Sequence, residues 1–336
     1  GNTTTGTASG TTLTVDQDLP AITETTVITT PSTDTTPTVV ITSDEVGPIT
    51  SPSGQTLTGD TTAEATTNSV TFDTLDAGTY SNVTLLVTDA AGNPSNTLTL
   101  TEFVIDTSAP SAFTVGAVTA TGNTVTANYL NSTNTGVSVT VPIANDASLV
   151  NGTIQLRMKV GNNAYANIGS AATITAANAD QAVTITDDNV EAAANYAEGG
   201  VLTFTAILTD TAGNTTTGTA SSTTLTVDQT DPVISEETVI STPGNDQTPS
   251  VVITTNEAGT ITSSKTFTTS SSASSGNNTI TFDTLAAGTY GNVTVVVTDA
   301  AGNASNTLTL TSFTIETTAP SAFTVGAVTA TGNTVT

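Results

Sequence analysis

Tandem all-β sandwiches are the fold class that the sequence predicts, and three observations carry the prediction. The 336 residues repeat themselves with a period of about 210 residues, a spacing that suits whole domains rather than short solenoid units. Apolar residues alternate with Thr and Ser at period two instead of at helical spacing. Clusters of Gly, Asn, Asp and Pro break the chain into short runs, as expected for many short strands joined by turns.

The repeat fixes the organisation. Residues 1–16 recur at 213–228 with one difference, Gly10 against Ser222, and residues 109–126 recur unchanged at 319–336. Between them, 76–93 and 286–303 agree at 14 of 18 positions. Two kinds of junction divide each period, one running from Asp16 to Pro20 and from Asp228 to Pro232, the other from Asp106 to Pro110 and from Glu316 to Pro320. The expected units are therefore a short sandwich at 17–107, a long one at 108–228 and a second short one at 229–317. Residues 1–16 read as the last strand of a preceding long unit, and 318–336 as the first strand of a following one. The sequence reads as a window cut from a longer array.

Individual strands are legible. Val83, Leu85 and Val87 alternate with Thr84, Leu86 and Thr88, and Leu98 and Leu100 alternate with Thr97, Thr99 and Thr101. In the long unit Ile154, Leu156, Met158 and Val160 face one way and Gln155, Arg157 and Lys159 the other, while Leu202, Phe204, Ala206 and Leu208 form a second inward face. β-Branched Thr and Val suit a pleated surface. Val190 to Ala197 is the one helical-looking patch, expected as a crossover. Leu75-x-x-Gly78-Thr79-Tyr80 and its copy Leu285-x-x-Gly288-Thr289-Tyr290 precede the penultimate strand, where a tyrosine corner stands in immunoglobulin-like sandwiches. The fold predicted is thus all-β, with tandem immunoglobulin-like β-sandwiches in an elongated array.

Composition narrows the chemistry. With no His and no Cys, the chain has no imidazole acid–base group, no thiol nucleophile, no disulfide, and no zinc, haem or iron–sulfur ligand set. Arg157, Lys159 and Lys265 stand alone against 29 carboxylates, for a net charge of −26, so no basic patch serves nucleic acid or anionic lipid. No stretch approaches 18 apolar residues, and no membrane insertion is expected of this segment. Carboxylates, amides, hydroxyls and backbone carbonyls remain, which are the ligands of calcium.

The runs VTDAAGN (87–93 and 297–303) and LTDTAGN (208–214), the D-x-x-x-P linkers, and the segments TSDEVGPIT (42–50) and TTNEAGTIT (254–262) resemble the bacterial immunoglobulin-like (Big-type) tandem repeats of giant extracellular adhesins and surface filament proteins. The resemblance covers essentially the whole chain. It implies an extracellular, cell-surface protein of great length, often stiffened by calcium.

An immunoglobulin-like topology brings the incoming linker, the B–C loop and the F–G loop to one pole. In the first short unit that gathers Asp16, Asp18, Asp44, Glu45, Asp89 and Asn93. In the second it gathers Asp228, Asp231, Glu257, Asp299 and Asn303, and in the long unit Asp106, Asn145, Asp146, Asp210 and Asn214. Converging carboxylates repel unless a cation lies among them, and calcium accepts six to eight oxygens in flexible geometry. The same residues are also good turn formers, Asp as a side-chain cap and Gly or Asn at positive φ, so metal ligation and turn chemistry both stand as readings. A glycosidase carboxylate pair fits poorly in a chain without Trp, and the dense Thr-x-Thr runs are explained by strand propensity before ice binding.

The function expected is therefore mechanical rather than catalytic: an extender segment of a surface stalk or filament, with structural Ca2+ at the junctions. Its partners are the neighbouring repeats of the same chain, and other copies laterally. Self-assembly into an extracellular filament or surface layer is the alternative, with the free strands Leu13 to Val15 and Phe323 to Val328 as candidate pairing segments. A ligand- or cell-binding module comes third.

Overall fold

The computed structural model describes residues 3–7, 10, 13–59 and 61–327. They fall into two compact units, one drawn from Gly1–Val118, Val137–Tyr196 and Leu202–Thr224, the other from Thr119–Gly136, Ala197–Val201 and Leu225–Thr336. Residues 108–228 thus contribute to both.

In the first unit, β1 (Ile22–Thr26), β2 (Thr38–Ser43), β3 (Gly47–Thr50), β4 (Leu57–Thr58), β5 (Thr62–Ala63), β6 (Thr67–Phe72), β7 (Gly78–Tyr80), β8 (Thr84–Val87), β9 (Leu98–Thr99) and β10 (Phe103–Ile105) build a two-sheet sandwich. One face has the order β1-β2-β6-β4; the other has β5-β3-β8-β9, with β7 paired to β10. Period-two burial follows the pleat: Val39 and Ile41, Val70 and Phe72, and Leu85 and Val87 are buried between the sheets. The Tyr80 hydroxyl donates to the Asp76 carbonyl at 2.9 Å, and its ring stacks on Phe103, so the tyrosine corner forms as expected.

The long stretch carries β11 (Val118–Gly122), β12 (Tyr129–Leu130), β13 (Asn134–Ile143), β14 (Thr153–Val160), β15 (Ala166–Asn167), β16 (Ala172–Thr173), β17 (Ala179–Thr186), helix α1 (Asp187–Glu191), β18 (Val201–Thr209), β19 (Thr215–Thr217) and β20 (Leu225–Val227). Within the first unit β14 and β18 run antiparallel, setting Ile154 opposite Leu208, Leu156 opposite Ala206 and Met158 opposite Phe204. All six are buried, as the alternation predicts. The helix is a correction to the expected patch Val190 to Ala197. It begins at Asp187, where two acidic residues suit a helix start, and ends at Glu191, before Asn195 turns to φ 65°.

The second unit contains a sandwich of β21 (Ile234–Thr238), β22 (Ser250–Thr255), β23 (Gly259–Ser263), β24 (Ser272–Ala273), β25 (Gly276–Thr281), β26 (Gly288–Tyr290), β27 (Thr294–Thr298), β28 (Leu308–Thr309) and β29 (Phe313–Ile315). Its core runs from Ile234 to Ile315, and Tyr290 repeats the corner by donating to Ala286 at 2.9 Å. In the same unit β12 pairs parallel with β20, Tyr129 opposite Thr226.

The end segments differ from expectation. Leu13 to Val15 and Thr317 to Gly326 carry no strand, and Leu13, Val15, Phe323 and Val325 are exposed. Their internal copies are ordered by partners: Leu225 and Val227 lie in β20 beside β12, and Thr114 bridges Thr219. The end copies have no such partner among the described residues. The remainder of those expected strands, residues 1, 2, 8, 9, 11, 12 and 328–336, lies outside the described residues.

Candidate metal centre

One small residue sets the geometry at each pole. Gly47 opens β3 so close to the end of β8 that a Cβ there would collide with the Thr88 carbonyl, which brings the B–C turn against Asp89. Gly152 meets Thr209, just before Asp210, and Gly259 meets Thr298, just before Asp299, in the same way. Sequence reasoning passed over these glycines, although each stands directly before or at the start of its C strand.

The three F–G loops share one hydrogen-bond pattern. The Asp89 carboxylate accepts from the Asn93 backbone N–H and from its Nδ2, both at 2.8 Å. Asp210 does so with Asn214 at 2.9 Å twice, and Asp299 with Asn303 at 2.9 Å twice. The same Asn nitrogen then reaches the linker: Asn93 donates to the Asp16 carbonyl at 3.2 Å, Asn214 to the Asp106 carbonyl at 2.9 Å and Asn303 to the Asp228 carbonyl at 2.9 Å. A carbonyl and a carboxylate only accept, so the group between them is the amide nitrogen. The three Asn residues therefore clamp linker to loop with their nitrogens. In Asn303 the remaining oxygen is also taken, accepting from the Ser132 N–H at 2.9 Å.

The carboxylates divide into two kinds. Asp210 is 4% exposed and accepts from the N–H groups of Ala212, Gly213 and Asn214 and from Asn214 Nδ2. Asp146 caps the turn Ala147–Leu149 by accepting from Ser148 N and Oγ at 3.0 and 2.7 Å. Asp106 accepts from Ser108 N at 2.9 Å. The B–C and F–G loops of the long stretch do meet, but through Thr211, which donates to the Ser148 carbonyl. At this pole turn chemistry accounts for every carboxylate.

At the pole of the second short sandwich the carboxylates converge. Oxygens of Asp228, Glu257 and Asp299 lie within 4.8 Å of one another, the one such group of three among the described residues. Partial burial, then the Asp299 charge, then Glu198 and Glu257, push the Asp228 carboxyl up to about 6. Burial and the charges of Asp299 and Glu198 also raise Glu257, against a hydrogen bond from Asn256 and with Asp231 adding a little. Glu198, not foreseen from sequence, arrives because the Gly199–Gly200 turn bonds to Val227, and it accepts from Gln229 N at 3.1 Å. An acidic residue before Gly-Gly, ahead of a strand, was the available signal. Glu198, Asp228 and Glu257 line a cleft of about 340 Å3. Asp231 stands at the rim, accepting from Ser132 Oγ at 3.1 Å.

The first short sandwich repeats this loosely. Partial burial and then the charges of Asp16, Asp89, Asp44 and Asp18 raise Glu45, so these carboxylates lie near enough to repel one another. Asp44 is held by Ala21 N at 2.6 Å, and the Asp16 carboxylate by Asp18 N at 3.1 Å. Burial opposes the Asp89 carboxylate, but the hydrogen bonds from Asn93, Ala91 and Gly92 hold it below the usual range. Of the two short sandwiches, the second therefore brings three carboxylates together, oxygen donors of the kind a hard cation accepts.

No family model and no curated protein matches the chain. Among solved structures, the FN1–FN3 domains of chicken CNTN1 align over 88% of this chain and 98% of that chain, at 12% identity and a TM-score of 0.32. A structure from a 1.5-MDa bacterial ice-binding adhesin, solved for its host cell surface retention, aligns over 90% and 100%, at 19% identity and a TM-score of 0.28. Domains A168–A170 of titin align over 87% and 99%, at 10% identity and a TM-score of 0.25. At these scores none of them bears on what the chain does. Among the described residues no helix is long and apolar enough to cross a membrane.

Proposed function

We propose that the chain is a structural extender, a segment of the stalk or filament of a large repetitive bacterial surface adhesin, working outside the cell and without catalysis. The observation that carries this reading is the clamp made three times over, in which Asn93, Asn214 and Asn303 each fasten a linker carbonyl to the loop of the following sandwich. A chain that spends the same device on every linker is built to limit bending there. Calcium adds to it at Asp228, Glu257 and Asp299, where a cation relieves the repulsion that now raises Asp228.

Small-angle scattering and a thermal melt, each in chelator and in millimolar calcium, test both parts. The reading expects an elongated particle in either condition, with a higher Tm in calcium because the ion binds the folded state. A compact particle in both conditions removes the extender. An unchanged Tm removes the calcium and leaves the clamps.

Lateral self-assembly is the second reading. It is favoured by Leu13, Val15, Phe323 and Val325, exposed copies of residues that pair with strands elsewhere in the chain. A mass above that of one chain, by light scattering, is its signature.

A further inference from the structure

We propose that one end of the long stretch is a docking surface for the F–G loop of the second short sandwich, and that this joint locks without metal. The inference rests on the extender reading and assigns the stiffness of one linker to protein contacts that hold before any ion adds to them.

The surface is Thr124–Ser132, within the second compact unit. Asn131 is 0% exposed, and all four of its side-chain hydrogen-bond positions are used. Its Nδ2 donates to the Ala301 carbonyl at 2.7 Å and to the Thr124 carbonyl at 2.9 Å. Its Oδ1 accepts from Thr133 N and Oγ1 at 3.0 and 2.9 Å. Beside it, Ser132 donates from its N–H to Asn303 Oδ1 at 2.9 Å and from its hydroxyl to Asp231 at 3.1 Å. Asp228 N donates to the Leu130 carbonyl at 2.9 Å. The loop, the linker and the rim acid are thus each held by the same three-residue run, Leu130 to Ser132, and a buried, fully satisfied amide tolerates little displacement.

Shape agrees with the bonding. A Cβ on Gly302 would stand 2.7 Å from Thr126 Oγ1 and 3.0 Å from Thr124 Cγ2, whereas Gly92 and Gly213, at the same place in the other two loops, have nothing within 4 Å. The backbone there is alike, with φ of 94°, 93° and 101°. What distinguishes Gly302 is the surface against it.

That pair of glycines supplies the test. Residual dipolar couplings of the full chain are recorded in chelator, and one alignment tensor is fitted jointly to residues 119–136 and 234–315. The lock predicts that one tensor serves both groups without calcium. Gly302→Ala, which adds strain and a collision, then demands two tensors. Gly92→Ala, which adds the same strain and no collision, leaves the fit unchanged. Asn131→Asp keeps the shape but loses both donors, and is expected to separate the tensors too. Two tensors in the unmodified chain that merge on adding calcium overturn the proposal, as does a Gly302→Ala chain that still fits one. Spectra of 234–315 within each variant report whether that sandwich still folds. Scattering on the same samples keeps the two ideas apart, since a compact particle ends the extender reading whatever the tensors do.

Discussion

Asn214 Nδ2 lies 2.9 Å from the carbonyl of Asp106, a residue far earlier in the chain, while holding the Asp210 carboxylate at the same distance. One side chain therefore joins a linker to a loop. Replacing it with Ala leaves both acceptors short of a donor, at a cost of about 1–2 kcal/mol. The same change at Asn303 removes a buried amide that also serves Ser132, and is expected to cost more, about 2–3 kcal/mol. Calorimetry of Asn93→Ala, Asn214→Ala and Asn303→Ala should rank the third as the most damaging. A flat ranking would mean that Ser132 and burial add nothing.

Much of this was legible beforehand. The period-two faces of β14 and β18, the corners at Tyr80 and Tyr290, and the nearness of Asp16, Asp44 and Asp89 to Glu45 all follow from repeat, alternation and topology. The division of labour among the acids did not. Asp89-Ala-Ala-Gly-Asn93 and Asp299-Ala-Ala-Gly-Asn303 are identical in sequence, yet among the described residues only the second meets two further carboxylates within 4.8 Å, Asp228 from the linker and Glu257 from the B–C turn, with Glu198 adding its charge from elsewhere in the chain. Long-range placement of that kind leaves no periodic trace.

Glu257→Gln and Asp210→Ala should separate the metal from the turn. Glu257 shares its space with two other carboxylates, so neutralising it removes repulsion. Stability in chelator is expected to hold or rise, and the calcium-dependent rise in Tm to vanish. Asp210 instead satisfies four N–H groups from a buried position. Its loss is expected to cost about 3 kcal/mol by orphaning them, with the calcium response of the second short sandwich intact. A calcium response lost in both variants would place the ion elsewhere.

The corners offer a control free of charge effects. Tyr80→Phe and Tyr290→Phe each delete one hydroxyl that donates at 2.9 Å to a carbonyl four residues earlier, while the ring keeps its stacking on Phe103 or Phe313. Each is expected to cost about 1 kcal/mol, equally in calcium and in chelator, by urea denaturation. A calcium-dependent difference would couple the corner to the pole.

Acidity should strengthen the second short sandwich in the absence of metal. Folding lifts the Asp228 carboxyl from its ordinary 3.8 to about 6. Between those values the folded state holds a proton that the unfolded chain has lost, so stability falls as pH rises through the window. The penalty is present at pH 7 and fades as pH drops from about 6 towards 3.8; Glu257, also raised, works in the same direction. Urea titrations in chelator at pH 7 and pH 5 should therefore give a higher midpoint at pH 5 for this transition, and Asp228→Asn should shrink the difference. Millimolar calcium should shrink it as well, since a bound cation favours the ionised carboxylates and protons then compete with it. A midpoint that falls at pH 5 in chelator would show that Asp228, Glu257 and Asp299 are not under mutual repulsion, and would remove the electrostatic case for a cation among them.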